Sequence, residues 1–311
     1  MSKVSVIIPV YNVAQYLPQC IESVPKDAEI ICINDGSTDN SLEVLQSYEH
    51  IKIIDKANQG SGVARNEGLK AATGEYVFFL DGDDWLVEGA LEKMTAAADK
   101  DNLDMLVFGG WSCDGQKCRH GGYSYKKIPK FYPGHVFCAA EVEDEIFKFP
   151  STAWTKLYRR EFLLKNNIKF QEIKVGQDQL FFFHSMITAQ KIAVLPENLY
   201  CYRKNRTGSA MTGKKKKDFS PIYVFYGIEE LLRGLGRLEE YKGIFVNKYF
   251  SKATSWLGKF NDETKQDYFA EYTRLLEHVK KEYSGWWTNF SPKIKDSYWM
   301  LKFKIFHAKI R

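Results

Sequence analysis

The sequence contains no apolar run that approaches the roughly 18 residues needed to cross a bilayer. It shows no secretion signal, because the short apolar run from Met1 to Val10 contains a proline and suits a first strand. Its six cysteines are poorly arranged for zinc, since Cys113 and Cys118 are followed by no second pair and no suitably spaced histidine cluster. We therefore expect reduced thiols and a cytoplasmic protein.

Excess positive charge is missing from most of the chain. Residues 293–311 hold six cations and one anion, which accounts for the net charge of +5 and leaves the rest neutral. This argues against a nucleic-acid-binding surface. Within this basic segment, apolar residues recur at helical spacing, as expected for an amphipathic tail on an anionic membrane surface. The alternative is a terminal helix packed on its own protein with solvated lysines.

Internal repeats and long low-complexity tracts are also absent. Instead, strand-length apolar runs alternate with helical patterns over the first hundred residues, which predicts an α/β fold with a mostly parallel sheet covered by helices on both faces. The segment Gly109–Pro150 has no clear pattern, and the chain becomes helical from Phe219 onward. We place a domain boundary in Thr212–Asp218, which gives a domain at 1–212 and a helical region at 213–311. The predicted strands are Val4–Val10, Glu29–Asn34, Lys52–Asp55, Tyr76–Leu80 and Met105–Phe108.

Polar and acidic groups follow several of these strands. Ligands bind beyond the carboxyl ends of such sheets, so these groups mark a candidate site. The sharpest of them is Asp81-Gly82-Asp83-Asp84, whose carboxylates can hold a hard divalent cation and a ribose together. The alternative is a solvated acidic turn that leads into the next helix.

The segment from Asp35 to Ser41 combines two kinds of side chain. Ser37, Thr38 and Asp39 suit caps of the following helix. Asp35 is the last residue of an apolar strand, which capping explains less well. Its carboxylate is therefore placed to accept a hydrogen bond from the N–H of a base.

The segment Gly60–Asn66 resembles a phosphate loop at a helix start. Arg65 stands where a dinucleotide-binding fingerprint needs Gly or Ala, which argues against a dehydrogenase. Arg65 either contacts a donor phosphate or pairs with Glu67 or Asp35.

Taken in order and spacing, these motifs resemble those of family 2 glycosyltransferases over residues 1–110. A second stretch, over residues 153–203, continues the resemblance in the branch that builds bacterial surface polysaccharides. The first set is Val4–Asn12, Asn34–Asp39, Asn58–Asn66 and Gly74–Asp84, and the second is Ala153–Arg160, Asn167–Phe170, Gln177–Phe181 and Leu199–Arg203.

The resemblance implies the GT-A fold, with a donor half at about 1–110 and an acceptor half at about 111–212. It implies a nucleotide-sugar site, most often for uracil nucleotides, formed by Pro9, Tyr11, Asp35, Arg65, Asp81 and Arg203. Within this set Asp81 would face the ribose and Arg203 would neutralise the pyrophosphate. Asp83 would ligate Mn²⁺ or Mg²⁺.

On the acceptor side, the resemblance implies that Asp178 is the general base, which an acceptor hydroxyl needs in order to become a nucleophile. The alternative for Asp178 is a structural ion-pair acid. Trp154 would offer a stacking face to an acceptor sugar. One departure is Gln177, which stands where the family usually has Glu.

The resemblance also implies an inverting mechanism. Together with the features above, it predicts metal-dependent transfer from a UDP-sugar to a glycan or lipid-linked acceptor, at the inner face of the plasma membrane. One rival is a non-catalytic nucleotide-sugar-binding homologue, which Gln177 favours and the retained carboxylates oppose. Another is a sugar nucleotidyltransferase, which would need a Gly-rich, Arg-containing loop after the first strand, where this chain has Pro9-Val10-Tyr11-Asn12.

Overall fold

The computed structural model describes residues 2–115, 117–124, 134–142, 145, 148–205, 218–257 and 262–283, with only the backbone at 262–265. The chain divides into two compact units, residues 1–214 and 215–311. This division falls two residues from the predicted boundary at 212/213. Within the described ranges, none of the helices combines the length and apolar character required to cross a membrane.

Over its first hundred residues, the first unit alternates strands and helices as predicted. Its strands are β1 (Val4–Val10), β2 (Glu29–Asp35), β3 (Ile51–Lys56), β4 (Tyr76–Phe79), β5 (Trp85–Leu86), β6 (Met105–Asp114), β7 (Lys117–His120), β8 (Lys156–Arg159) and β9 (Ile192–Arg203). Its helices are α1 (Leu17–Glu22), α2 (Ser41–Gln46), α3 (Ser61–Ala71), α4 (Ala90–Lys100), α5 (Ala139–Val142), α6 (Arg160–Lys165) and α7 (Asp178–Thr188).

These strands form a single mixed sheet in the order β3-β2-β1-β4-β8-β6-β9-β5, and β7 pairs with β6 outside this path. Strands β3, β2, β1 and β4 are parallel neighbours. The chain moves from β1 to β2 on one side and returns to β4 on the other, which opens a crevice at the carboxyl ends of β1 and β4.

The central strands are nearly all apolar because helices cover both sheet faces. Val6, Ile7 and Ile8 of β1 are fully buried, and so are Val77 and Phe78 of β4. A sheet buried in this way is rigid, so the loops at its edge start from fixed positions.

The segment Gly109–Pro150 is more regular than its sequence indicates. Strand β6 continues to Asp114 and forms an antiparallel hairpin with β7. Parts of this segment, including 125–133, lie outside the described residues. The prediction of an irregular segment is therefore wrong for 109–120, where cross-strand pairing overrides weak local patterning.

The second unit is helical, as predicted. It contains α8 (Ser220–Gly234), α9 (Leu238–Phe245), a π-helical turn (Val246–Phe250), α10 (Ser251–Trp256) and α11 (Asp262–Glu282). A buried carboxylate, Glu229 of α8, accepts hydrogen bonds from Arg233, from His278 of α11 and from Tyr283. The basic tail at 293–311 lies outside the described residues.

The prediction of reduced thiols is wrong for one pair. Cys113 of β6 and Cys118 of β7 face each other across the hairpin and form a disulfide, with Cα atoms 4.1 Å apart. Cys20, Cys32, Cys138 and Cys201 are free cysteines. The pairing depends on the hairpin, which the sequence pattern did not reveal.

Candidate active site

The turn Asp81–Asp84 lies at the carboxyl end of β4, directly beside the end of β1. A Cβ atom added to Gly82 would lie 3.2 Å from the carbonyl oxygen of Pro9 and 3.2 Å from the side chain of Val13. Gly82 therefore allows the acidic turn to pack against the loop that follows β1. The turn is closed by a hydrogen bond of 3.0 Å from the Asp84 N–H to the Asp81 carbonyl.

The side chain of Asp84 connects this turn to β9 through hydrogen bonds. Its side chain is 1% exposed. It accepts hydrogen bonds of 2.6 Å from the Tyr200 hydroxyl and 2.7 Å from the backbone N–H of Arg203. Burial, followed by the charges of Asp83 and Asp81, raises the pKa of Asp84 well above its usual value. Asp84 is thus an anchor inside the protein, a role that its position within the acidic motif did not indicate.

Tyr200 of β9 contacts the turn at a second point. Its hydroxyl also accepts a hydrogen bond of 3.3 Å from the Asp81 N–H, so one buried phenol contacts both ends of the turn. Reasoning from the sequence assigned Tyr200 no role, although it lies within the family-like segment that ends at Arg203.

Arg203 also stabilises the turn by contacting its backbone. Its Nε donates to the carbonyl of Asp83 at 2.8 Å, and its guanidinium lies over the rings of Tyr16 (4.8 Å) and Trp85 (4.6 Å). A further hydrogen bond of 2.5 Å reaches Gln19. The cation lies at the acidic turn, and its contact with a pyrophosphate stays a prediction.

Arg65 joins the two carboxylates predicted to matter most. This residue of α3 is 5% exposed and places one guanidinium nitrogen 2.6 Å from Asp81 and the other 3.3 Å from Asp178. The charges of Asp81 and Asp178 raise the pKa of Arg65 despite its burial. The predicted alternatives, pairing with Glu67 or Asp35, are wrong, because Glu67 pairs with Lys70 and Asp35 with Lys56.

Asp178 is the first residue of α7, where the helix N-terminus favours negative charge. Its side chain is 24% exposed, so it remains accessible to a substrate. Its role as a general base stays a prediction, and its pairing with Arg65 matches the structural alternative.

Asp35 is buried and engaged with its own protein. Its carboxylate accepts hydrogen bonds from Lys56 at 2.9 Å and from the N–H groups of Gln59 and Gly60 at 2.9 and 2.7 Å. The last two N–H groups of the loop before α3 are thereby directed at Asp35. Its contact with a nucleobase stays a prediction.

The loop after β1 is tied to the loop after β2. Asn12 adopts φ of +52° and accepts a 2.7 Å hydrogen bond from the Thr38 N–H, while its own N–H donates to Ser37. Ser37 and Thr38 therefore bond to the loop after β1 and do not cap α2, which corrects the capping prediction for these two. Tyr11, beside this tie, is 49% exposed.

Trp154 lies within an aromatic cluster. Its ring stacks on Tyr200 (4.2 Å between centroids, 16°) and lies parallel to Tyr202 (5.8 Å, 5°), and Tyr123 meets its edge at 4.7 Å. Trp154 is 4% exposed. Trp154 is therefore buried against Tyr123 and Tyr202, which are themselves only partly buried. Its stacking on an acceptor sugar stays a prediction.

Two further residues lie near Asp178. Lys156 is fully buried and donates to the carbonyls of Pro150 (2.6 Å) and Thr152 (2.9 Å), and burial lowers its pKa to about 7. Gln177 donates to the Ser61 hydroxyl at 2.6 Å. The neutral amide therefore fastens the start of α7 to the start of α3.

Asp83 has the chemistry of a metal ligand, and its contact with a cation stays a prediction. Asp83 is only half-buried, and a carboxylate oxygen is the donor that hard divalent cations prefer. One protein carboxylate together with substrate phosphates is a common way for proteins to hold such a cation.

Comparisons with known proteins agree with this geometry. The family model for glycosyl transferase family 2 matches residues 5–140. EpsJ of Bacillus subtilis (strain 168), an uncharacterized glycosyltransferase, is 33% identical over 65% of this chain and 61% of its own length. TarP of Staphylococcus aureus (strain N315), a poly(ribitol-phosphate) beta-N-acetylglucosaminyltransferase, is 30% identical over 94% of this chain and 89% of its own.

The same fold occurs in a solved structure. S. aureus TarS 1-349 in complex with UDP-GlcNAc matches 86% of this chain and 79% of its own, with a TM-score of 0.69 and 25% identity. The sheet and its acidic turn therefore define a GT-A fold, and the protein is a glycosyltransferase. The chain belongs to glycosyl transferase family 2, among relatives of bacterial cell-wall polysaccharide synthesis. It spans less than two thirds of the length of EpsJ.

Proposed function

We propose that this glycosyltransferase moves a sugar from a UDP-sugar to a hydroxyl of a cell-surface polymer or its lipid-linked precursor, with inversion at the transferred carbon. The observation that carries the proposal is the pairing of Arg65 with both Asp81 and Asp178. It brings the end of the donor strand and the candidate base into one cluster at the sheet crevice. The UDP-GlcNAc complex of TarS supports the choice of donor.

In the proposed reaction Asp178 takes the proton of the acceptor hydroxyl. The hydroxyl oxygen forms a bond to the anomeric carbon from the side opposite the diphosphate, and the bond from that carbon to the diphosphate oxygen breaks. UDP leaves with the electron pair. Positioned proton removal of this kind contributes about 10²- to 10⁴-fold to a rate.

We assign the remaining roles from position. Pro9, Tyr11 and Asp35 hold the nucleobase, Asp81 faces the ribose, and Arg203 adds positive charge near the pyrophosphate. Asp83 holds Mn²⁺ or Mg²⁺, which when bound stabilises negative charge on the leaving diphosphate. Trp154, with the tyrosines that cover it, supports the acceptor sugar.

We also propose that the protein works at the inner face of the plasma membrane, through its basic tail at 293–311. The alternation of cations with apolar residues in that segment supports contact with anionic lipids. A lipid-linked or membrane-bound acceptor is compatible with this placement.

The test is calorimetric titration of UDP into the protein with Mn²⁺ and then with EDTA. We expect binding that requires the metal and is lost in Asp83→Ala. The matched control is Glu88→Ala, which removes an exposed carboxylate five residues away and should bind UDP normally. Metal-independent UDP binding that survives Asp83→Ala would contradict the metal role.

Turnover is measured separately, as UDP released from UDP-GlcNAc in the presence of poly(ribitol phosphate). Asp178→Asn should keep UDP affinity and lose about 10²-fold or more in rate, whereas the exposed control Glu172→Gln should retain the rate. Near-normal turnover in Asp178→Asn would exclude the base role. UDP binding without turnover on any acceptor offered would favour the non-catalytic homologue.

A further inference from the structure

Three cysteines meet on one face of the sheet. Cys113 of β6 lies opposite Cys118 of β7, and Cys201 of β9 pairs with Trp111, two residues before Cys113. Residues two apart on a strand share a face, so all three side chains point the same way. Their sulfur atoms lie within 4.8 Å of one another.

We propose that, once the Cys113–Cys118 disulfide is reduced, these three cysteines bind a soft divalent cation such as Zn²⁺. A dithiol reductant supplies the two electrons and two protons that convert the disulfide to two thiols, and it becomes a disulfide itself. The three thiols then release three protons as they bind the cation. The site does not depend on the proposed function.

The distances suit this chemistry. Zinc lies about 2.3 Å from each thiolate sulfur, so two sulfurs of a tetrahedral site are about 3.8 Å apart. The group already lies within 4.8 Å, and breaking the disulfide allows its two sulfurs to separate toward that spacing. Thiolates also favour zinc and other soft ions over hard cations such as Mg²⁺.

The exposure of the three cysteines suits it as well. Cys113 and Cys201 are buried, whereas Cys118 is exposed and opens the site to solvent, from which a water could supply a fourth ligand. A bound cation deprotonates a coordinating thiol.

An ion at this position would link three adjacent strands. Cys201 follows Tyr200 directly, and Cys113 pairs in register with Arg203. Tyr200 and Arg203 are the residues of β9 that hold the acidic turn. The cation would therefore fix the strand that positions that turn.

The test uses the full chain, reduced with dithiothreitol and desalted without oxygen. Cd²⁺ is titrated while its thiolate-to-metal charge-transfer absorption is followed, and Zn²⁺ is then added as a competitor. We expect one Cd²⁺ per reduced chain, three protons released per ion, and displacement by Zn²⁺. The chain with the disulfide intact should bind at least about tenfold more weakly.

Cys201→Ser should weaken Cd²⁺ binding by about tenfold or more, because even loss of a group behind a metal ligand costs about 10- to 100-fold. Cys138→Ser is the matched control, since Cys138 is a free cysteine outside the cluster, and it should bind as the wild type does. Cys118→Ser, at an exposed position that tolerates serine, must show the same loss if Cys201→Ser misfolds. Absence of binding to the reduced wild type, or unchanged affinity in both cluster variants, would overturn the proposal.

Discussion

Replacing Tyr200 with phenylalanine removes one oxygen atom from the anchor of the acidic turn. The aromatic ring stays, so its stacking on Trp154 at 4.2 Å is preserved. The lost hydroxyl donates to Asp84 at 2.6 Å and accepts from the Asp81 N–H at 3.3 Å. Since Asp84 is 1% exposed, water cannot easily replace the lost donor.

The expected cost is about 2 kcal/mol of unfolding free energy. A buried acceptor that loses its donor costs about 1–3 kcal/mol. The longer bond to Asp81 adds little. For a unit of about 200 residues, each kcal/mol lowers Tm by about 2–4 °C, so the predicted drop is about 4–8 °C.

The assay is thermal unfolding followed by near-ultraviolet circular dichroism, with Tyr202→Phe as the matched control. Tyr202 lies in the same aromatic cluster, but its hydroxyl makes no hydrogen bond with the described residues, so its loss should change Tm by less than about 2 °C. Equal Tm values for the two variants would refute the role given to the Tyr200 hydroxyl. UDP titration into Tyr200→Phe should also show weaker binding, because the turn that carries Asp83 loses its anchor.

Three other changes test separate features. Arg65→Lys keeps the charge but not the forked guanidinium that contacts both carboxylates. Transfer should therefore slow by about tenfold, which corresponds to about 1.4 kcal/mol of activation free energy. An unchanged rate in steady-state kinetics would contradict this. Glu229→Gln should lower unfolding free energy at pH 7 by about 1.5–3 kcal/mol in urea titrations, whereas the exposed Glu230→Gln should not. Burial opposes the charge of Glu229, but hydrogen bonds from its partners outweigh burial and lower its pKa. The stability that Glu229 contributes is therefore present above the unfolded pKa of 4.5 and lost as the pH falls through the folded pKa. The unfolding free energy of Glu229→Gln should accordingly fall less on acidification than that of the wild type. Deleting residues 293–311 should abolish sedimentation with anionic vesicles, and unchanged sedimentation would exclude the membrane role.

The sequence by itself determined the alternation of strands and helices over the first hundred residues. Hydrophobic periodicity is a local property, so β1, β2 and β4 could be located within about one residue of their ends. The acidic turn, Arg65 and Asp178 were likewise found from motifs, because each lies within a short segment whose spacing is distinctive. Such motifs identify residues but do not state which of them touch.

Only the tertiary structure decided which site residues form hydrogen bonds and ion pairs with one another. Arg65 pairs with Asp178, which is 113 residues away, and no helical or strand period predicts that contact. Ser37 and Thr38 have the chemistry of helix caps, yet they bond to Asn12, because a side chain that suits a cap equally suits any nearby backbone or amide group. The anchoring of Asp84 by Tyr200 has the same origin, since it requires β9 to lie beside the turn after β4.

The three-cysteine group shows the same division. The spacing of Cys113 and Cys118 argued against a zinc site, and within the sequence no nearby third ligand was visible. The sheet order brings β9 beside β6 and so delivers Cys201 to the pair. Local side-chain patterns are set by short-range energetics, whereas contacts between distant segments depend on which strands become neighbours, and that is settled only when the whole sheet forms.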